Sequence, residues 1–569
     1  IGEVGDYQAV RIKFWKLITD LFSANFMKQI FDWCNAHDLK FTGHLVLEES
    51  LLAQLITNGA CMPHYEYLTI PGMDWLGRNI IDCLTPMQVS SVCDQLGIKQ
   101  RLSETFALCG HNVSFAELKG IYEWQMVHGI NLLCQHLEGY SIRGIRKRDY
   151  PPAMFYQQPW WSEYNKFNEA MTRTGMIMGK SKKQVDVLVL HPQTTAWTLF
   201  DDNKNSGIEE LNTKLLSLID SLERKHIDFH LGDEIIMERY ANVEDGKIII
   251  GTQGYSYVIT DCCEEILDST KSLLDEFVKA GGKIINVEEI PPNNVIDSEE
   301  ITYTKGVIDN KTLHYFINTS NKTINTKTTL NGKIIDINSG DLIDFSGEHL
   351  FEPWGSLMIL EDENSGFNIN ENDTKIKIGN TFTISNPVQN CLALDFCDYY
   401  FDGELQEKNG YVLNICERAN MIERVVKIHQ DYYVNAEYIP EEVFLVCETP
   451  EKFEITVNGI KIEKNISGYF VDTSFKKINI SLQAMVNFVG NYDFYVENIN
   501  YFLSVKNKLY KDIPVNLRLW NDKSNSVNKE INEYSKKVFS HIVEHHHIFN
   551  TRISENDEFD WPTLEMPDN

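Results

Sequence analysis

Glu48 and Glu104 are the carboxylates whose settings in the sequence could do chemistry. The first lies in Phe41-Thr42-Gly43-His44-Leu45-Val46-Leu47-Glu48-Glu49, which predicts a strand over 41–47. Side chains alternate along a strand, so His44, Val46 and Glu48 share one face and Leu45, Leu47 and Glu49 the other. The apolar face belongs against helices, which turns His44 and Glu48 inward at the strand's carboxyl end. Both acids would also suit the first turn of the following helix, a reading that fits Glu49 better. Glu104 sits inside Leu102-Ser103-Glu104-Thr105-Phe106-Ala107-Leu108. A glutamate in an apolar strand is costly unless it is paired or faces a wet pocket. A salt bridge to Lys or Arg is the alternative to a catalytic role. Two carboxylates at one mouth are what glycosidic cleavage uses: one protonates the leaving oxygen while the other attacks the anomeric carbon or activates water. No GxSxG, HExxH or Cys–His signature competes.

Further residues could hold a sugar beside such a pair. The strand predicted over 130–135 contains Asn131 and is followed by His136, which could orient a carboxylate or be a satisfied core histidine. Asp74 follows a predicted strand at 67–70 in Pro71-Gly72-Met73-Asp74-Trp75. Arg143 lies in Tyr140–Pro152, which leads to Trp160-Trp161. Flat indole faces can pack on sugar rings, although paired tryptophans are also ordinary core.

The elements that must position these residues alternate between strand and helix patterns over 1–180. Phe26, Ile30 and Trp33 recur at helical spacing, and an apolar stretch at 50–57 reads as helix. Thr85-Pro86 opens a helix that Gly97 closes, with a strand over 100–108 after it. Ser114 and Glu117 form a capping box for a helix ended by Gly129. Repeated βα units imply a parallel sheet with covered faces. Four units make half of a (β/α)8 barrel, so 1–180 reads as its C-terminal part, with the first strands expected upstream of Ile1. A smaller open sheet is the competing reading.

Over 181–290 the pattern is that of a doubly wound α/β domain, opening on a strand at 185–190 and a helix capped by Ser206. It has no GxGxxG and no GxxxxGK[ST]. Beyond 290, short alternating strands and turn pairs such as Asn331-Gly332, Ser339-Gly340 and Asn458-Gly459 predict two β-sandwich modules, 291–365 and 366–505. A polar tail, 506–569, carries His545-His546-His547.

The 569 residues carry 52 basic and 82 acidic side chains, a net charge of −30 that argues against a nucleic-acid partner. No apolar run reaches the roughly 20 residues of a membrane span. Twelve cysteines without framework spacing predict reduced thiols and a cytoplasmic location.

The runs FTGHLVLEES, NGACMPHYEYLTIPGMDWLGR, SETFALCG and HGINLLCQHLEGYSIRGIRKRDYPPAMFYQQPWW together resemble bacterial glycoside hydrolases of the family 106-like type, the α-L-rhamnosidase group. The order of barrel, amidotransferase-like α/β domain and sandwiches with a galactose-binding-like module is similar too. The resemblance, over roughly residues 1–500, implies an exo-acting enzyme on an oligosaccharide or glycoside, with Glu48 and Glu104 at the matching catalytic positions. It also implies dependence on calcium, for which the sequence assigns no ligand. A β-galactosidase-like enzyme and a non-catalytic carbohydrate-binding protein on a truncated barrel are the alternatives.

Overall fold

A computed structural model describes residues 5–110, 113–137, 160–201, 205–345, 347–362, 392, 394, 396–422, 424–436, 442–470, 472–481 and 492–503. Arg143 and the histidine run of the tail lie outside the described residues. By its contacts the chain divides into two units, Ile1–Leu137 with Ser162–Phe382, and Glu138–Trp161 with Thr383–Asn569.

The first unit opens on the helices α1 (Tyr7–Phe22) and α2 (Lys28–Ala36), joined by a π-turn. Phe26 and Trp33 sit at helical spacing, yet both are exposed, so here the periodicity does not mark a core. A parallel sheet follows in the order β1 (Thr42–Gly43), β2 (Ile70–Trp75), β3 (Leu102–Thr105) and β4 (Leu132–Gln135). Its intervening helices are α3 (Leu51–Asn58), α4 (Met62–Tyr65), α5 (Leu84–Leu96) and α6 (Phe115–Val127), and α7 (Tyr164–Lys180) comes after. Among the described residues this sheet has four strands, with β1 and β4 at its edges.

Local signals set several boundaries. Ser114 Oγ accepts the Glu117 amide while the Glu117 carboxylate accepts the Ser114 amide, which satisfies two of the amides left open at the start of α6. Gly97 ends α5 in the left-handed region at φ 72°. There a side chain would strain the backbone. Pro86 falls in the first turn of α5, but Cys83 rather than Thr85 holds the cap position.

The strand expected over 41–47 is only two residues long. Leu47 at φ 57° is in the left-handed region, so the chain turns before Glu48 and no alternation extends to it. The strand expected at 67–70 lies instead at Ile70–Trp75, which places Asp74 within the strand.

β5 (Lys182–Lys183) joins a later sheet, while β6 (Val187–Leu190), β7 (Phe229–Gly232), β11 (Tyr257–Ile259) and β12 (Lys283–Ile284) form a second parallel sheet in the order β12-β11-β6-β7. The hairpin strands β8 (Ala241–Glu244), β9 (Lys247–Ile250) and β10 (Gln253–Tyr255) form an antiparallel sheet of their own. Helices α8 (Gln193–Leu199), α9 (Ser206–Arg224), α10 (Glu234–Tyr240) and α11 (Asp268–Lys279) accompany them. Asn205, not Ser206, precedes the first turn of α9, and Leu211, Leu215, Leu218 and Leu222 bury one face of that helix. The unit continues in a six-stranded sheet containing Ile301–Ile308, Lys311–Asn318 and Ser356–Glu361. Gly332 begins one of its strands and is not part of a turn.

In the second unit a six-stranded and a three-stranded antiparallel sheet share one core. Tyr399, Phe401, Ile428 and Val457 come from the first sheet, Ile478 and Ile480 from the second. The Asn458-Gly459 turn joins Glu454–Val457 to Ile460–Lys461 with both residues at positive φ, as a tight hairpin requires.

Candidate active site

The pleat of the first sheet decides which side chains meet. Asp74 pairs in register with Glu104, and Glu104 with Cys134, so the three form a row across β2, β3 and β4 on one face. Met73, Trp75, Ser103 and Thr105 fill the opposite face and are buried. The face bearing the row is the open one: the Glu104 side chain is 32% exposed and Cys134 is exposed. A chargeable residue is tolerated inside β3 because its side keeps water.

His44, just beyond β1, reaches this row. Its Nε2 donates to Glu104 Oε2 at 3.1 Å and its Nδ1 donates to the Leu45 carbonyl at 2.9 Å. A carbonyl and a carboxylate can only accept, so both ring nitrogens carry protons and the imidazole is cationic. Burial opposes that charge, but the Glu104 hydrogen bond and the nearby Glu48 and Asp74 carboxylates lift the His44 pKa to about 10. The same hydrogen bond holds Glu104 below the ordinary glutamate range, and the charge of His136 adds to the effect. Glu104 therefore gives up its proton more readily than Asp74.

Asp74 goes the other way. Burial, reinforced by the charge of Glu104 and resisted by that of His44, raises its pKa to about 6. Its Oδ1 is buried without a hydrogen-bond partner. Adjacent carboxylates whose surroundings push their pKa values apart are the usual arrangement of an acid beside a base.

Glu48 is 2% exposed, and burial raises its pKa to about 7. Its Oε1 accepts the Leu45 amide at 2.8 Å and the Tyr65 hydroxyl at 2.9 Å, and its Oε2 accepts the Asp74 amide at 3.0 Å. Its backbone carbonyl takes the Gln54 and Gln88 side-chain amides. These bonds fix the loop after β1 to the backbone of Asp74. Tyr65, Gln54 and Gln88 gave no sign of this in the sequence, because nothing local ties them to Glu48.

The other expected residues divide. His136 follows β4 at the carboxyl end, is buried, and lies within electrostatic reach of Glu104. Asn131 precedes β4 at the amino end, where its side chain bridges the Arg101 amide and the Lys99 carbonyl. There it lines a cavity of about 490 Å³ between β4 and α7, away from the carboxylate row. Glu49 is exposed, and Ser50 rather than Glu49 caps α3. Trp160 and Trp161 group with the second unit.

Among the described residues, Cys83, His128 and Glu223 make the group with metal-ligand geometry. Calcium binds oxygen donors, so a thiol and an imidazole do not fit the ion that the resemblance implies.

No family model and no curated protein matches the chain. Solved structures similar to it include a rhamnosidase from Novosphingobium sp. PP1Y, at 11% identity and TM-score 0.47 over 85% of this chain and 51% of that one. The chain thus spans about half the length of that rhamnosidase. It is also similar to the GH42 β-galactosidase Gan42B, at 10% identity and TM-score 0.45 over 63% of this chain and 70% of that one. A third is the β-galactosidase from Bacillus circulans sp. alkalophilus, at 10% identity and TM-score 0.42 over 62% of this chain and 68% of that one.

Proposed function

We propose that the chain is a glycoside hydrolase whose reacting carboxylates are Glu104 and Asp74. The observation that carries this reading is the in-register pair on β2 and β3, with one carboxylate held ionised by His44 and the other driven toward its protonated form by burial. Glu104 is the group that attacks the anomeric carbon or activates water for that attack. Asp74 supplies the proton to the leaving oxygen. His44 positions Glu104 and keeps it charged. Glu48, the other glutamate marked by the sequence, has its oxygens committed to three donors, so its role is to hold the His44 loop against β2. The sugar class, an α-L-rhamnoside, comes from the sequence resemblance.

Aryl glycosides of graded leaving-group quality test the two roles separately. Glu104→Gln should abolish turnover of every substrate. Asp74→Asn should stop hydrolysis of poor leaving groups while sparing dinitrophenyl glycosides, which depart without protonation. A folded Glu104→Gln protein with undiminished turnover would sink the assignment, and so would sugar binding by the native protein with no hydrolysis of any glycoside.

A further inference from the structure

Cys83, His128 and Glu223 lie far apart in sequence, yet their ligand atoms all fall within 4.8 Å of one another. Each comes from a helix end: Cys83 caps α5, His128 caps the carboxyl end of α6, and Glu223 is in the last turn of α9. The His128 ring is already oriented, because its Nδ1 donates to the Trp124 carbonyl at 2.7 Å. Its Nε2 faces Glu223 Oε1 at 2.8 Å. A backbone carbonyl on the far ring nitrogen is the usual support of a metal-bound histidine. Cys83 is fully buried, whereas the Glu223 side chain is 25% exposed, which leaves a route from solvent. Asp82 adds negative charge within reach of Glu223 and His128. The nearby cation Lys183 is engaged by Asp228 at 3.5 Å.

The Cys83 thiol also hydrogen-bonds Glu223, so sulfur, imidazole nitrogen and carboxylate oxygen converge on one point. We propose that Cys83, His128 and Glu223 bind a thiolate-accepting divalent cation of the zinc class, which ties α5 and α6 to α9. Bonds of about 2.0–2.3 Å to sulfur, nitrogen and oxygen put tetrahedral ligands roughly 3–4 Å apart, so small side-chain adjustments suffice. The ion replaces the proton between Nε2 and Oε1 and the proton on Sγ. A charge of 2+ then meets one thiolate and one carboxylate, with water in the fourth position.

The test is Co²⁺ titration of the chelator-stripped full chain, with Zn²⁺ competition as a second readout. One equivalent should bind, with a sulfur-to-cobalt charge-transfer band that Zn²⁺ displaces. Cys83→Ser should lose the band. Glu223→Gln, at a partly exposed helix end where folding is least at risk, should weaken binding by more than the roughly tenfold that changes behind the ligands cost. Cys134→Ser, which removes an exposed thiol, should leave the band intact. The proposal falls if no stoichiometric binding occurs, if the band survives in Cys83→Ser, or if Glu223→Gln binds as tightly as the native chain. None of these outcomes depends on hydrolytic activity.

Discussion

Two parallel sheets in this chain each place a histidine directly after a strand, and the two histidines have opposite fates. His44 follows β1 and finds an acceptor for each ring nitrogen, so it is a cation with its pKa at about 10. His191 follows β6, is 1% exposed, and has no partner for either ring nitrogen. Burial alone lowers its pKa to about 4. Both residues sit at the same kind of place, the carboxyl edge of a parallel sheet. What differs is the set of acceptors within reach: carboxylates on neighbouring strands in one case, none in the other. Position in a sheet therefore marks a candidate, but the neighbouring strands decide whether it carries charge.

The largest test of this contrast removes the cation that has partners. His44→Leu should cut glycoside hydrolysis about 10²-fold, the scale of a lost acid–base contribution. Glu104, without its donor, should then titrate closer to an ordinary glutamate, moving the acid limb of the kcat/KM profile to higher pH. An unmoved profile would separate His44 from Glu104. A middle-sized test weakens the scaffold of the first edge while leaving its charges in place. Tyr65→Phe deprives buried Glu48 of a donor and should cost about 1–2 kcal/mol in urea unfolding. A change of only a few tenths would mean that the hydroxyl contributes little.

The subtlest test is the pH dependence of stability, to which the two histidines contribute with opposite signs. The folded pKa of His191 lies below its unfolded value of 6.5, so the unfolded chain binds the extra proton and stability falls as pH drops from 6.5 through about 4. The folded pKa of His44 lies above 6.5, so its contribution is complete below that value and is lost as pH rises through about 10. His191→Leu should stay within about 1 kcal/mol of the native protein at pH 7, because it removes two unpartnered polar atoms along with some packing. It should also flatten the acid side of a melting-temperature profile and leave the alkaline side unchanged. An acid side as steep as before would assign that loss to other groups.

Much of the local structure was legible because its causes are local. The Ser114–Glu117 box and the closing Gly97 need only residues within one turn of a helix. The hairpin at Asn458-Gly459 needs two residues able to take positive φ. The candidate site was legible only in part. Glu104 stood out because an apolar strand needs a reason to hold a charge. Glu48 was singled out by an alternation that stops at Gly43, and its burial depends on Tyr65 and the Asp74 amide. Asp74, which the sequence places after a strand as a binding residue, lies inside one, and the register of that strand puts it beside Glu104.

Residue order by itself determined the succession of βα units, most helix ends and the turn chemistry, since propensity, capping and positive φ act within a few residues. It also supplied the carboxylates. Only the tertiary structure decided which of them stand together and which hold a proton, because register between strands and burial depend on contacts distant in sequence. Cys83, His128 and Glu223 show the same rule: their types hinted at nothing in the sequence, and three helix ends bring them to one point.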